Sequence, residues 1–420
     1  MKKSVNKAVH YYTRELEKGM VPFAYREILS FMTGLAGSLS KEYPEYRTGA
    51  LYPGSMDMTF FTFTPPELTR KKLKIIVVYL HKKGAFGVWL GAENRTVRGR
   101  YIDFLGSRNP GILQMSLKVP ETDSIAEAIL EKRPDFDHPE ELAGQLRQGI
   151  LEFIQEVLFL TGSSDDPVRE KLASSLTAET TELLPFLPYL LQDLWDLGSS
   201  PRDMEELIRR HIPDPRGLRV LDLACGKGAV SIHLARVLGC RILGIDLMPD
   251  FIRTARQKAR QYGVEELCSF QVEDIGRAVR RESGYDLTIL GAAGDVLGGP
   301  LETLKMLKET IRSGGYVLVD DAYAGEDAGP GYHTREQWME AIRRAGLILT
   351  GELIMDPEEL NALNDRQQEK IAGRALELKK AHPELVDLFD GYLRSQQAEC
   401  EDLEQRITGV TMLLSDREQK

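Results

Sequence analysis

The sequence has few residues that could form a metal cluster. Its 420 residues include four cysteines and seven histidines. No two cysteines lie at CxxC spacing and no two histidines lie at HxxxH spacing, and structural zinc sites depend on such spacings. We therefore predict no structural metal, and we expect the cysteines to be free thiols, as is usual in a reducing compartment.

Long apolar runs and an excess of positive charge are also missing. No stretch approaches the roughly 18–20 apolar residues that span a bilayer. Tyr11, Arg14 and Glu15 interrupt the apolar core that a secretory signal would need near the N-terminus. The net charge of −10 is opposite in sign to the basic surface typical of nucleic-acid binding. We expect a cytoplasmic protein with no membrane partner and no evident nucleic-acid partner.

The composition and length are typical of a soluble protein with two domains. Hydrophobic residues make up 42% and charged residues 28% of the chain, and domains usually contain about 100–200 residues. In the segment 161–170 the composition shifts to Ser, Asp and Pro, which is typical of a boundary. We predict a first domain over 1–160, a linker and helical cap over 161–216, and a second domain over 217–420.

In the first domain, apolar residues recur at helical spacing near both ends, and strand-like runs lie between these segments. Two helices are predicted at 4–19 and 22–42 from the period of their apolar residues. Runs rich in β-branched and aromatic residues predict strands, and three short helices are predicted after them. This order indicates an α+β domain with an antiparallel sheet. The predicted strands are 46–52, 56–63, 73–81 and 86–90, and the later helices are 94–105, 123–131 and 139–158.

The second domain alternates strands and helices. After two helices predicted at 178–195 and 201–211, the pattern from residue 217 changes to strand, helix, strand, helix. That alternation predicts a parallel sheet with helices on both faces. The predicted strands are 219–223, 241–245, 270–274, 286–291 and 316–319, and helices are predicted at 229–238 and 334–345.

A glycine-rich turn joins the first of these strands to its helix. The segment reads LDLACGKG and contains Asp222, Gly226 and Gly228. Glycine permits a tight turn and close approach of the backbone to a ligand, and the unpaired N–H groups of the following helix face the same crevice. Asp246 ends the next strand about 20 residues later, where nucleotide-binding folds place an acid on the ribose hydroxyls. The pattern therefore predicts a nucleoside site.

Two other nucleotide sites fit the residues less well. A phosphate-binding P-loop needs Ser or Thr after its lysine, whereas Lys227 is followed by Gly228 and Ala229. A nicotinamide dinucleotide site prefers a third glycine where Ser231 stands. A carboxylate at Asp222 would repel a pyrophosphate and suit an ammonium group. An NAD-dependent enzyme stays as the weaker alternative.

The ordered series of motifs over about 180–415 closely resembles the class I S-adenosylmethionine-dependent methyltransferases. The resemblance rests on LDLACGKG, on the acids at the ends of the next two strands, and on Gly314-Gly315 before the fifth. It implies a Rossmann-like, doubly wound, seven-stranded methyltransferase sheet of the α/β class, preceded here by the smaller α+β domain. The segments 347–354 and 405–414 would form its closing antiparallel pair, and the helices over 178–211 would cover the cofactor.

The same resemblance implies a binding set for S-adenosylmethionine. The first motif would hold the methionine end, and Asp246 the ribose, with Leu247 beside the adenine. The segment 273–275 would reach the adenine edge, and the end of the fourth strand would lie next to the sulfonium. The complete set is Asp222, Ala224, Gly226, Gly228, Asp246, Leu247, Glu273, Asp274, Ile275, Gly291 and Ala292.

The methyl acceptor is less constrained by the sequence. The motif after the fourth strand is GAAGD, without the paired prolines of DNA adenine enzymes and without the cysteine of pyrimidine C5 enzymes. We expect a small-molecule acceptor; a non-catalytic regulatory or scaffold protein that binds S-adenosylmethionine is the alternative. No catalytic residue is assigned, since a structural role is the better interpretation of each single candidate. The candidates are Asp295, Asp320, Asp321, Tyr323 and His333.

A largely helical insertion over 356–402 separates the last two predicted strands. It is rich in Glu, Gln, Lys and Leu. Such an insertion could be a solvated hairpin, a contact in a homodimer, or a lid over the acceptor site, because long inserts at the ligand end of a sheet are often functional.

Residues 1–160 resemble a family of small domains of unknown function. The likeness lies in 52–60, 63–65 and 86–90, and it implies no activity. A polar site formed by Asp57, His81 and Trp89 on a sheet face is a further hypothesis, although such residues are more often packed and satisfied.

Overall fold

The computed structural model describes residues 4–106, 114–115, 124–162, 166–325 and 332–416. By their contacts they form two compact units, Met1–Thr161 and Gly162–Lys420. None of the described helices is long and apolar enough to cross a membrane.

The first unit contains a six-stranded antiparallel sheet in the order β1-β2-β3-β4-β6-β5. Alternate residues of β3, such as Ile75 and Val77, are fully buried, as expected of strands that pack one face against helices. The strands are β1 (Arg47–Thr48), β2 (Met58–Thr64), β3 (Leu73–Leu80), β4 (Ala85–Ala92), β5 (Gln114–Met115) and β6 (Ser124–Glu131). The helices are α1 (Val5–Glu17), α2 (Met20–Glu42), α3 (Pro66–Arg70), α4 (Arg95–Gly106) and α5 (Pro139–Thr161).

The helix predicted at 123–131 is wrong, because Ser124–Glu131 forms β6. The segment contains Ala, Glu and Leu, which favour helices in isolation. In the fold it pairs along β4, with Ala128 opposite Val88, and it buries Ile125 completely. Pairing with the backbone of β4 and burial of one face outweigh the local helix preference.

The second unit contains a seven-stranded sheet in the order β12-β13-β11-β10-β7-β8-β9. β13 runs antiparallel to both of its neighbours, and the remaining pairs are parallel. This arrangement confirms the predicted Rossmann-like sheet and its closing antiparallel pair. The strands are β7 (Arg219–Leu223), β8 (Arg241–Asp246), β9 (Cys268–Val272), β10 (Tyr285–Gly291), β11 (Ile311–Ala324), β12 (Ile348–Ile354) and β13 (Ile407–Ser415).

Ten helices of four residues or more accompany this sheet in the part of the chain that is described. Apolar side chains from both sheet faces and the flanking helices form two buried clusters, with Leu221 on one face and Val220 on the other. The helices are α6 (Pro167–Ser175), α7 (Leu187–Leu190), α8 (Pro201–His211), α9 (Ala229–Leu238), α10 (Pro249–Gln261), α11 (Ile275–Arg281), α12 (Pro300–Thr310), α13 (Arg335–Ala345), α14 (Pro357–Ala381) and α15 (Val386–Gln405).

Two expectations about the segment before the sheet need correction. The single helix predicted at 178–195 is wrong: a 3-10 turn at Thr181–Leu183 and the one-turn helix α7 stand there instead. Pro185 and Pro188 lack a backbone N–H, so a continuous helix cannot pass through them. The segment expected to be a linker also contains the start of α6, where Asp166 caps the helix by accepting a hydrogen bond from the Val168 N–H.

Candidate functional site

The parallel strands end at one edge of the sheet, where β7 and β10 lie side by side. β7 continues to β8 on one side, whereas β10 leads to β11 on the other. Open α/β sheets bind ligands at such a switch point. The register places Leu223 opposite Leu290 and Gly291 opposite Asp320, so the loops after the three central strands face the same crevice.

The turn after β7 has a backbone that favours glycine. Gly226 and Gly228 have φ values of +52° and +75°, and Ala224 has +57°. A Cβ at Gly228 would lie 3.0 Å from both the Ala255 Cβ and the Phe270 ring. Gly228 therefore allows α9 to begin close to the neighbouring elements, which is a structural role.

Asp246 is a buried carboxylate that holds this turn. It is 7% exposed, and it accepts hydrogen bonds from the Gly226 N–H at 2.9 Å and the Met248 N–H at 2.8 Å. Burial raises the pKa of Asp246 to about 6, although the two amides oppose that rise. A carboxylate has about four acceptor positions, so it retains capacity for the two hydroxyls of a ribose.

Asp222 is the second buried carboxylate, at the end of β7. It is 3% exposed and accepts a hydrogen bond from the Ser231 hydroxyl at 2.5 Å. Burial, and to a smaller extent the charge of Asp246, raise the pKa of Asp222 to about 7, against the effect of Ser231. Two desolvated carboxylates favour a cationic ligand and disfavour a pyrophosphate.

Lys227 fixes the segment that covers the turn. Its ammonium donates hydrogen bonds to the carbonyls of Leu191 and Leu194, and burial lowers its pKa to about 8. The Trp195 indole N–H donates in return to the Lys227 carbonyl at 3.2 Å, and Trp195 stacks on Tyr262 with ring centroids 5.2 Å apart. In the sequence, Lys227 stands out only as a possible phosphate ligand, and no pattern indicates this role.

Most of the predicted cofactor residues meet at the crevice. Asp222, Ala224, Gly226, Asp246, Leu247, Asp274, Ile275, Gly291 and Ala292 line it. The described structure places Gly228 and Glu273 elsewhere. Gly228 packs against α10 and β9, and Glu273 forms a bidentate pair with Arg281 at 2.7 and 2.9 Å. Asp274 also caps α11 by accepting from the Gly276 N–H.

A second, larger cavity adjoins this crevice. It has a volume of about 350 Å³ and shares Leu176, Leu197 and Ala292 with the crevice lining. The loop after β10 and the C-terminal part of β11 form one wall, and α14 and α15 form another. The insertion therefore lines a cavity beside the predicted sulfonium position, which favours the lid among the three alternatives.

Two of the five catalytic candidates line this cavity. They are Asp320 and Asp321, and burial raises the pKa of each to about 6. Tyr323 instead donates its hydroxyl to Glu352 at 2.8 Å, away from the cavity lining. The other two lie together outside that lining, with His333 Nε2 at 3.8 Å from an Asp295 carboxylate oxygen.

Several polar residues of this cavity could not be recognised from the sequence pattern. Tyr332, Asn364, Tyr392 and Glu399 line it. Three of them lie on the insertion helices, where their spacing gives no signal beyond an ordinary polar helix. Only the fold brings them to the ends of the strands.

The polar site hypothesised in the first unit is divided. His81 Nε2 lies 2.8 Å from the Thr59 hydroxyl, and the His81 N–H donates to the Asp57 carbonyl. Trp89 pairs with Ile76, which is five residues and roughly 16 Å from His81 along β3. Of the three hypothesised residues, the structure brings Asp57 and His81 together and leaves Trp89 apart from them.

Comparison with known proteins finds a matching family model for each part of the chain. Residues 214–378 match the family model described as a methyltransferase domain, and residues 5–160 match a domain of unknown function, DUF7000. Both resemblances predicted from the sequence are thereby confirmed.

Individual relatives match over short segments. Norajmaline N-methyltransferase of Rauvolfia serpentina is 31% identical over 18% of this chain and 26% of its own length. A 23S rRNA uracil C5-methyltransferase of Edwardsiella ictaluri is 36% identical over 18% of this chain and 18% of its own. The chain thus matches about a quarter or less of these two relatives, and they are named for different acceptors.

A solved structure also aligns with the chain. It is a S-adenosylmethionine-dependent methyltransferase from Thiobacillus denitrificans in complex with S-adenosylhomocysteine. The two chains are 19% identical, and the alignment covers 55% of this chain and 98% of that protein's chain with a TM-score of 0.48.

Proposed function

We propose that the protein transfers a methyl group from S-adenosylmethionine to a small-molecule acceptor, since residues 214–378 match the family model described as a methyltransferase domain. The observation that carries this proposal is the junction of the two cavities at Leu176, Leu197 and Ala292. A cofactor in the crevice and an acceptor in the larger cavity would meet there. Methyl transfer needs such alignment of the two reactants above all else.

The donor set of the crevice fits the cofactor. Asp222 would hold the ammonium of the methionine part, and Asp246 the ribose hydroxyls, with Asp274 and Ile275 at the adenine. When bound, the cofactor would supply an electrophilic methyl group next to Gly291. Lys227 in the turn donates its hydrogen bonds to the Leu191 and Leu194 carbonyls, so it is not free to bind a phosphate. This agrees with NAD being the weaker alternative as a cofactor.

The larger cavity supports an acceptor of small-molecule size. Its volume of about 350 Å³ lies within the range of small-molecule sites. Two helices of the insertion form part of its wall, and the described lining contains no Lys or Arg to neutralise a nucleic-acid backbone. These features favour a metabolite over an rRNA or a protein.

Asp320 and Asp321 are the groups in this cavity that could accept a proton from an attacking acceptor atom. A general base works best when its pKa is near the operating pH, and both carboxyls have a pKa of about 6. Asp320 is oriented by the Thr411 hydroxyl, which donates to its Oδ1 at 2.9 Å.

The test is to incubate the purified protein and S-adenosylmethionine with two fractions of a cell extract, one of low molecular mass and one of retained macromolecules. We expect S-adenosylhomocysteine to form with the low-mass fraction. Formation with the macromolecular fraction alone would contradict the small-molecule acceptor. Tight binding of the cofactor without turnover in either fraction would favour a regulatory protein.

A further inference from the structure

Three carboxylates line the larger cavity, and no described lining residue is a Lys, Arg or His. They are Asp320, Asp321 and Glu399, from β11 and α15. Their hydrogen-bond donors are neutral: hydroxyls reach Asp320 and Glu399, and the Ala322 N–H reaches Asp321 at 2.7 Å. Burial raises the pKa of all three, although His333, which lies outside the lining, partly opposes the rise in the pKa of Asp321.

A second observation points independently to a ligand in the same cavity. Asn364 and Tyr392 are 7% and 3% exposed, and both line the cavity. The Asn364 Nδ2 and the Tyr392 hydroxyl have no hydrogen-bond partner in the described structure. Buried polar groups are almost always satisfied, so a bound molecule with a hydroxyl, carbonyl or other acceptor atom would complete them.

The rest of the cavity lining combines many apolar side chains with neutral polar ones such as Gln367, Gln368 and Gln396. Leu363, Ile371 and Leu403 come from the insertion, and Leu176 and Leu194 come from the segment before the sheet. An occupant must therefore present an apolar body as well as polar ends. A negatively charged occupant would have to approach three desolvated carboxylates without a counter-ion, which is unfavourable.

From these contacts we infer that the acceptor is an amine: a molecule with an apolar body, a hydrogen-bonding oxygen or nitrogen, and a protonated basic nitrogen that the carboxylates of the cavity bind. This inference rests on the proposed function, since it concerns the acceptor of that reaction. Asn364 and Tyr392 bind the hydrogen-bonding end, and Asp320, Asp321 and Glu399 select positive charge.

The test compares three probes that share one ring and differ in charge. Tyramine, tyrosol and 4-hydroxyphenylacetate carry an ammonium, a hydroxyl and a carboxylate on the same skeleton. Each is titrated by calorimetry into the full-length protein saturated with S-adenosylhomocysteine. We expect tyramine to bind at least roughly tenfold more tightly than tyrosol, because charged hydrogen bonds are the stronger ones, and the carboxylate to bind most weakly.

Matched variants link this preference to the cavity. Glu399→Gln and Asp321→Asn each remove one carboxylate, and each should reduce the preference for tyramine over tyrosol. Glu401→Gln changes an exposed carboxylate two residues along the same helix and should leave the preference intact. Reduction in either cavity variant supports the inference, provided that the variant still binds S-adenosylhomocysteine as the wild type does.

The outcomes separate this inference from the proposed function. Failure of the wild type to bind S-adenosylhomocysteine would overturn the proposed function itself. If S-adenosylhomocysteine binds normally, three results would overturn only the amine acceptor. They are no binding of tyramine, equal binding of the three probes, and a preference for the carboxylate. Loss of the preference in Glu401→Gln would overturn the assignment to this cavity.

Discussion

Replacement of Asp246 by alanine should weaken cofactor binding and also destabilise the fold. The carboxylate is 7% exposed, and it accepts hydrogen bonds from the N–H groups of Gly226 and Met248. The alanine variant loses the acceptor for the ribose hydroxyls and also leaves these two amides without their partner. The two losses have separate magnitudes and separate readouts.

The loss in affinity follows from the charged hydrogen bonds. Such bonds contribute on the order of 1.5–3 kcal/mol, so the dissociation constant of S-adenosylhomocysteine should rise at least roughly tenfold in Asp246→Ala. An unsatisfied buried amide costs about 1–3 kcal/mol. With two such amides, the melting temperature of a domain of this size should fall by at least about 4 °C.

Two further variants separate the ribose contact from the support of the turn. Asp246→Asn keeps one carbonyl oxygen as an acceptor, so its effects should be intermediate. Asp250→Asn removes a carboxylate just after the same strand, one that pairs with Arg253 and does not line the described crevice. It should change the affinity little. Isothermal titration and thermal unfolding measure both quantities, and an affinity in Asp246→Ala within twofold of the wild type would refute the ribose assignment.

Three other predictions follow from the same crevice. The folded-state pKa of Asp222 is raised from 3.8 to about 7, so its ionisation should destabilise the ligand-free protein as the pH rises from about 4 through 7. The affinity for S-adenosylhomocysteine, whose ammonium favours the ionised carboxylate, should rise over that range, and calorimetry should show a shallower dependence in Asp222→Asn. Gly291→Ala should lower both stability and affinity, since its Cβ would lie 2.2 Å from the Ser199 hydroxyl oxygen; unchanged values would show that this loop yields freely. A fragment of residues 162–420 should fold and bind S-adenosylhomocysteine, because it includes the whole of α6, which lines the crevice. A fragment that starts at residue 171 would cut this helix. An insoluble 162–420 fragment would contradict independent folding.

The parallel half of the fold could be predicted because its signals are local. Each strand is a short apolar run followed directly by its turn and helix, and the acids that mark the crevice stand at strand ends. Asp222, Gly226 and Asp246 are therefore recognisable from spacing alone. The structure adds that Asp246 also supports the turn, which spacing cannot show.

Other elements depend on partners that are distant in the sequence. The segment 124–131 favours a helix by composition, and only pairing with β4 makes it a strand. The larger cavity joins residues near 176, 321, 364 and 399, which no local pattern connects. Its polar residues on the insertion resemble those of any solvated helix until the fold places them beside the strand ends.

The assignment of the crevice to S-adenosylmethionine is tested most directly by a calorimetric titration of the full-length protein with S-adenosylhomocysteine and, separately, with NAD. We predict saturable binding of one S-adenosylhomocysteine per chain, with a higher melting temperature when it is bound, because a ligand that binds only the folded state stabilises it. NAD at the same concentration should give neither effect. Binding of NAD, with none of S-adenosylhomocysteine, would contradict the assignment of the crevice to S-adenosylmethionine.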